Sequence, residues 1–236
     1  MGQSFFIWNG VDCRSKGIIL RGPVPITKPE ERVQHVTIPG RSGDLTLLEG
    51  DGIYQSYIQT ATIHVRGGYR VNEIMNWLKG SGYVTFSGEP DRKQKARVIG
   101  AVTLQKHSRN LDIWSGEVQF FCAPLKERLD AYSTEITASG TDVRNNGDVA
   151  ERPKMTVTLS GNSTTITNGS ETFTFTGASG ETIVVDSDAE TVTNASGDTN
   201  RTVLISGVFP VLQPGANTIT GSGWSKIVIL RRERFL

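Results

Sequence analysis

The sequence predicts a mostly β protein in two units, an N-terminal β-barrel or sheet domain with one helix over residues 1–130 and a C-terminal β-sandwich over 131–236. Three observations carry this expectation. The 236 residues include 26 glycines and long runs in which apolar residues alternate with Thr and Ser, the pattern of short strands joined by tight turns. A single segment, near residues 71–78, shows the apolar spacing of a helix. The texture also changes near Ala131: residues 1–132 carry 17 Lys+Arg against 13 Asp+Glu, and the remainder 8 against 11, in a chain of net charge +1. That near-neutral total gives no electrostatic footprint for nucleic acid or a membrane surface.

In the first unit, Phe5 to Trp8 reads as a strand closed by the Asn9-Gly10 turn signal. Gly17 to Leu20 is a second short run, and Pro23-Val24-Pro25-Ile26 after it belongs on an edge or in an extended linker, because proline cannot donate to a central ladder. Val33 to Ile38 leads into Pro39-Gly40-Arg41-Ser42-Gly43-Asp44, a turn with a charged tip. Leu45 to Leu48 follows, then a second reversal at Asp51-Gly52. Gln55 to Val65 reads as the longest strand, with Tyr57, Ala61, Ile63 and Val65 on one face and Thr60, Thr62 and His64 on the other. Val71, Ile74, Met75 and Leu78 form one helical stripe, with Asn72 as the expected cap, Gly80 as the stop and Trp77 packing on the sheet. Tyr83 to Phe86, the charged loop Glu89 to Lys93, and a strand bearing Ala96, Val98, Val102 and Leu104 come next. The last strand carries Trp114, Val118, Phe120 and Cys122, and is expected to end at Pro124.

Beyond Arg144, strands are expected around Met155-Val157-Leu159, Phe173-Phe175, Ile183–Val185, Val192, Val203–Ile205, Ile219 and Ile227–Leu230. Asn168-Gly169, Ser179-Gly180, Ser196-Gly197 and Pro214-Gly215 punctuate them at the ~8–12-residue spacing of a sandwich. Phe173 and Phe175 share a strand face and read as core.

Motifs that would carry chemistry are missing. There is no Walker-type phosphate loop, no G-x-G-x-x-G, no G-x-S-x-G and no C-x-x-C. His35, His64 and His107 are far apart in sequence and lack metal-ligand spacing. Asp186-Ser187-Asp188-Ala189-Glu190 alternates carboxylates but lacks the glycine and closing Glu of a calcium loop, and reads as an acidic turn. Arg92, Lys93, Lys95, Arg97, Lys106 and Arg109 read as solvated charge. Cys13 and Cys122 are expected as two buried, reduced thiols. No leader-like N-terminus and no apolar run of ~20 residues appears, so a soluble protein made in the cytoplasm is expected, without membrane contact, cofactor, metal or catalytic residues.

In order along the chain, Pro39-Gly40-Arg41-x-Gly43-Asp44-Leu45, Asp51-Gly52-x-Tyr54, Trp77-Leu78-x-Gly80, Phe86-Ser87-x-Glu89-Pro90 and Phe120-Phe121-Cys122-Ala123-Pro124 resemble the first half of the distal tail proteins of long-tailed, siphovirus-type bacteriophages and prophages. Asn146-Gly147-Asp148 with Pro153, Val184-Val185-Asp186-Ser187, Phe209-Pro210-x-Leu212-x-Pro214-Gly215-x-Asn217-x-Ile219 and the closing strand ending in Arg231-Arg232 resemble the second half. The resemblance implies a tail-tube-like first domain that assembles into a hexameric ring, single or stacked, and a galectin-like sandwich pointing outward. It implies a hub at the virion tail tip, built in the host cytoplasm, that meets the tail-tube protein, a tail-tip or tail-associated lysin-type protein and a receptor-binding protein. DNA would cross its lumen without specific binding. Arg41, Asp44, Arg92 and Lys93 are the candidate ring-assembly or loop residues. Two other readings use the same residues: a tail-tube subunit of related architecture, and a carbohydrate-binding adhesion module with Trp224 as an exposed stacking platform. A hydrolase is the third, without a motif to support it.

Overall fold

The structure, a computed structural model, describes residues 3–48, 52–107, 111–197, 199–200 and 205–236. Expectations placed on Asp51, Arg109 and the Val203 start of a sandwich strand lie outside the described residues. The chain divides into two compact units, Met1–Leu129 with Leu236, and Asp130–Phe235.

The first unit opens with β1 (Phe6–Trp8), which reverses through Asn9 and Gly10 at φ 50° and 79° into β2 (Val11–Asp12). Two successive left-handed residues are what a tight hairpin between right-twisted strands requires. β3 (Ile18–Leu20), β4 (Val33–Val36), β5 (Leu45–Leu48) and β6 (Tyr57–Arg66) follow. Then come helix α1 (Val71–Trp77), β7 (Ser81–Phe86), β8 (Arg92–Lys106) and β9 (Ile113–Arg128). The main sheet has the strand order β2-β1-β7-β8-β9-β6-β3, while β4 and β5 form a separate two-stranded ribbon. Alternation works as expected on β6: Ala61, Ile63 and Val65 are buried between half-buried Thr60, Thr62 and His64.

One face of the sheet and α1 enclose the core. Phe120 is its centre, with ring centroids 5.4 Å from Phe6, 5.5 Å from Trp8 and 5.8 Å from Phe86. Trp77 stacks on Phe6 at 5.9 Å with planes 10° apart. The helix begins differently from the expectation. A 3-10 turn over Gly68–Arg70 runs directly into it, and Arg70, not Asn72, occupies the cap position. The backbone N–H of Gly68 instead donates to Asp112 Oδ2 at 2.9 Å, which anchors the start. Met75 is exposed, so the buried stripe narrows to Ile74 and Leu78 with partly buried Val71.

β9 is the longest strand, at 16 residues, and runs through Pro124. The register explains why. Ala96 pairs with Cys122 but Gln94 with Lys126, so residues 123–125 bulge and Pro124 owes the ladder no N–H. On the other side, β6 stops pairing at Cys122. Cys13 and Cys122 are buried free thiols, and burial pushes the Cys122 thiol up to about 12.

The second unit contains β10 (Ser133–Ile136), β11 (Thr141–Asn145), β12 (Lys154–Leu159), β13 (Ser163–Asn168) and β14 (Glu171–Thr176). It continues with β15 (Thr182–Asp186), β16 (Thr191–Asn194), β17 (Ile205–Gly207), β18 (Gly215–Ser222) and β19 (Trp224–Leu230). Two five-stranded sheets, β10-β19-β12-β15-β16 and β11-β18-β13-β14-β17, face each other across one core. Met155, Val157, Ile183, Val185, Ile227 and Ile229 enter it from the first sheet, and Ile166, Phe173, Phe175 and Ile219 from the second. The outward positions are largely threonine. This alternation is the signature of a sandwich with one solvated face per sheet.

Candidate assembly surfaces

The β4–β5 ribbon exposes apolar side chains that have little cover. Its register places Val36 opposite Leu45 and Gln34 opposite Leu47 on one face, and His35 opposite Thr46 and Val33 opposite Leu48 on the other. Val36 and Leu47 are 40% and 46% exposed, and Ile38 and Ile53 are exposed as well. The second face is fastened by His35 Nδ1 and Thr46 Oγ1 at 3.3 Å. At the tip, Thr37 Oγ1 donates to Asp44 Oδ1 at 2.8 Å and the Arg41 N–H donates to the Ile38 carbonyl at 3.1 Å. Gly40 and Gly43, both at φ 82°, supply the left-handed turns that other residues resist. At the base, Arg32 N–H donates to Ile53 O and Gln55 N–H to Glu30 O, both at 2.8 Å. Among the described residues, the two strands pack mainly on each other. An isolated two-stranded ribbon is marginal in water, so this one calls for a surface to lie on.

The outer face of the main sheet offers such a surface at one corner. Ile58 and Phe121 are directly opposed across β6 and β9 and are 53% and 45% exposed, with Arg97 the next partner along the row. Away from that corner the face is mixed: Thr60, Thr62 and His64 on β6 meet Gln119, Glu117 and Ser115 on β9, and exposed Ile19 of β3 stands opposite His64. His64 Nδ1 and Ser115 Oγ lie 2.7 Å apart.

Arg41 and Asp44 thus share the ribbon tip, whereas Arg92 and Lys93 belong to a different cluster at the start of β8. Arg92 Nη1 lies 2.8 Å from Glu89 Oε1, and the buried Lys126 Nζ lies 2.7 Å from Glu89 Oε2. Lys93 Nζ sits 5.0 Å above the Tyr83 ring. Nearby, Gln94 Nε2 donates to the Ala123 carbonyl and, at 2.9 Å, to the Tyr57 hydroxyl. Burial pushes the Tyr57 phenol up to about 12. Gln59 Nε2 donates to Pro25 O at 2.6 Å and its Oε1 accepts from Thr27 at 3.0 Å, holding the proline segment over the sheet. Buried polar groups with this many partners fix a loop in place.

Trp224 is no exposed platform. It is 8% exposed and packs in the sandwich core. A register shift is the cause: Thr158 pairs with Lys226 but Leu159 with Trp224, and that bulge turns the indole inward. The acidic turn also has a structural occupation. Asp186 Oδ1 accepts from Arg232 Nη1 at 2.8 Å and from the N–H groups of Asp188 and Ala189 at 3.2 and 3.3 Å. Burial alone would raise this carboxyl, but these donors hold its pKa below the ordinary aspartate value.

Sequence reasoning did not foresee the buried ionic network of the second unit, although it quoted several of its members as separate fragments. Arg231 donates to both oxygens of Glu151, closest at 2.7 Å, and to the Arg144 carbonyl at 2.9 Å. Glu151 also accepts from the Arg232 N–H. Glu233 Oε1 accepts from Tyr132 Oη at 2.6 Å and from Asn146 Nδ2 and N–H at 2.9 and 3.1 Å, with Arg231 at 3.5 Å. Burial raises the Glu233 carboxyl, but these hydrogen bonds and the Arg231 charge outweigh it and leave the pKa lowered. The available signal was Arg231-Arg232-Glu233-Arg234 directly after an apolar strand, where strand parity sends alternate charges inward. Among the described residues, no group of three or more His, Cys, Asp or Glu side chains is gathered to hold a metal.

The class defined so far is a two-unit antiparallel β protein whose polar clusters fasten loops and strands. Residues 146–235, within the second unit, match the family model described as the siphovirus-type tail component, C-terminal domain. Over its whole length the fold is that of the SPP1 Dit (gp 19.1) protein, whose crystal structure is described as a paradigm of the hub adsorption apparatus in phages infecting Gram-positive hosts. The TM-score is 0.82 at 18% sequence identity, with 100% of both chains covered. No curated protein sequence matches the chain. The resemblance to distal tail proteins is thereby borne out, by the family match in the second unit and by the fold along the full chain.

Proposed function

We propose that this chain is a distal tail hub, a structural and non-catalytic part of a siphovirus-type phage tail tip. The observation that carries the reading is the full-length fold shared with a hub protein, together with the tail-component family match in the second unit. In this role the first unit assembles into a homohexameric ring, alone or as stacked rings. The ring meets the tail-tube protein and mounts tail-tip, lysin-type and receptor-binding proteins. Assembly takes place in the host cytoplasm, and the finished part sits at the virion tail tip. A heterologous contact closes into a ring when its rotation divides the circle. The ribbon supplies one half of such a contact and the Ile58–Phe121 corner the other: the apolar face around Val36 and Leu47 of one copy covers the corner of the next. The Thr, Ser and Gln side chains of the remaining sheet face, with the Glu117 carboxylate among them, suit a lumen that DNA crosses without being held.

The test is light scattering on a size-exclusion column, with negative-stain images of the peak. The expected mass is six or twelve times 25.7 kDa. Val36→Asp with Leu47→Asp should give a monomer that keeps the β-rich circular dichroism of the wild type, since both side chains are largely solvent-facing. Wild-type protein that stays monomeric even with tail-tube protein added would overturn the reading, and open-ended fibres would favour a tube subunit.

A further inference from the structure

An open cleft of about 260 Å³ lies in the second unit, lined by Arg152, Ser187, Glu190, Gly207, Val208, Phe209 and Val211. Its chemistry is mixed in a specific way. Arg152 Nη1 and Glu190 Oε1 form an ion pair of 3.2 Å at the exposed rim. Val208 is exposed, and Phe209, half-buried against the Phe173 ring at 4.8 Å, adds an aromatic surface. Ser187 is 1% exposed, and its hydroxyl has no hydrogen-bond partner. A buried hydroxyl with unspent capacity is uncommon in folded proteins and asks for an explanation. Two polar groups next to it have found theirs: the Ser187 N–H donates to Pro153 O at 3.0 Å, and Asp186 is held by Arg232.

We infer that this cleft is a binding site for a small, uncharged, polyhydroxylated ligand, a single pyranose-like unit. The volume sits at or just below the lower end of small-molecule sites, ~300–1,000 Å³, which restricts the occupant to one small ring. The rim pair is neutral as a whole, so an anion gains little there. Its separate donor and acceptor edges match the neighbouring hydroxyls of a sugar, each of which both donates and accepts. The apolar wall of Val208, Val211 and Phe209 takes the ring's C–H face, and Ser187 completes the hydroxyl shell. The site is independent of ring assembly and of Trp224.

The full-length protein is titrated with methyl α-glucoside, methyl β-galactoside and N-acetylglucosamine, and separately with inorganic phosphate, by isothermal titration calorimetry. At least one glycoside should bind saturably, and Glu190→Gln should weaken it by about tenfold or more, the usual effect of losing a charged hydrogen-bond partner. Ser187→Ala should also weaken binding while leaving the melting temperature unchanged, because the hydroxyl it removes bonds to nothing in the fold. Absence of saturable binding by any glycoside, binding by phosphate alone, or binding unaffected by both substitutions would each overturn the assignment.

Discussion

Replacing Arg231 by alanine would strip its guanidinium from a pocket that holds two carboxylates at 0% and 1% exposure, Glu151 and Glu233. Glu151 suffers most. It loses hydrogen bonds to both oxygens and keeps the Arg232 N–H. Glu233 retains Tyr132 and Asn146. Breaking a buried pair by deleting one partner costs about 3–5 kcal/mol, because an uncompensated charge remains. A folded domain has about 5–15 kcal/mol in total, so this loss removes a large share of the second unit's stability. The control separates the pair from its burial. Arg231→Met with Glu151→Met removes both charges at similar volume, and such exchanges are often neutral or stabilising. A double-mutant cycle then gives the coupling directly. The assay is urea unfolding followed by tryptophan fluorescence, with the transition involving Trp224 reporting the second unit. A cost below about 1 kcal/mol for Arg231→Ala, the range of exposed surface pairs, would refute the claim that this guanidinium holds the network together.

Acid should loosen the same unit. Glu233 has a lowered pKa in the folded state, so its contribution is complete above the unfolded value and is lost as the pH falls through the folded one. Asp186 acts in the same direction. The melting temperature of the second unit should therefore fall below about pH 4, and Glu233→Gln should flatten that dependence, as read by circular dichroism across a pH series. Gly116→Ala should destabilise the first unit by about 1–3 kcal/mol or more. Its new methyl would stand 2.0 Å from the Thr103 carbonyl oxygen, a backbone atom that cannot swing aside, and chemical denaturation measures the loss. Trp224→Ala should cost about 3–5 kcal/mol of the second unit's stability, seen as a lower urea midpoint, since the side chain is core and not a surface platform.

The fold was legible where period and punctuation coincide. Strict alternation fixed the inward faces of β6, β12 and β14, and Asn9-Gly10 fixed the first hairpin, because each depends only on residues near in sequence. Misreadings arose where a distant partner decides the outcome. Pro124 ends a strand only if a neighbour demands its N–H, and the bulge opposite Gln94 and Ala96 removes that demand. Trp224 reads as exposed at the end of a polar turn until the shift at Leu159 turns it inward. Asn72 reads as a cap until Asp112, forty residues on, is found holding the helix start through Gly68.

The assembly surfaces were half legible for a related reason. The alternation of Val36 and Ile38 on one arm with Leu45 and Leu47 on the other is visible in the sequence and makes an apolar ribbon face foreseeable. What the sequence cannot express is whether the rest of the chain covers that face. The same pattern in β12 and β15 is buried by an opposing sheet. In β4 and β5 it stays at the surface, and the Ile58–Phe121 pair stays exposed as well. Leaving two apolar patches in water costs about 25 cal/mol per Å² of surface that a contact could hide. A monomer carrying both therefore gains by joining another copy, and the growing chain still presents one free ribbon at one end and one free corner at the other. Such a contact propagates until the geometry closes it, so the pair of patches is a physical argument for a ring that does not depend on any relative.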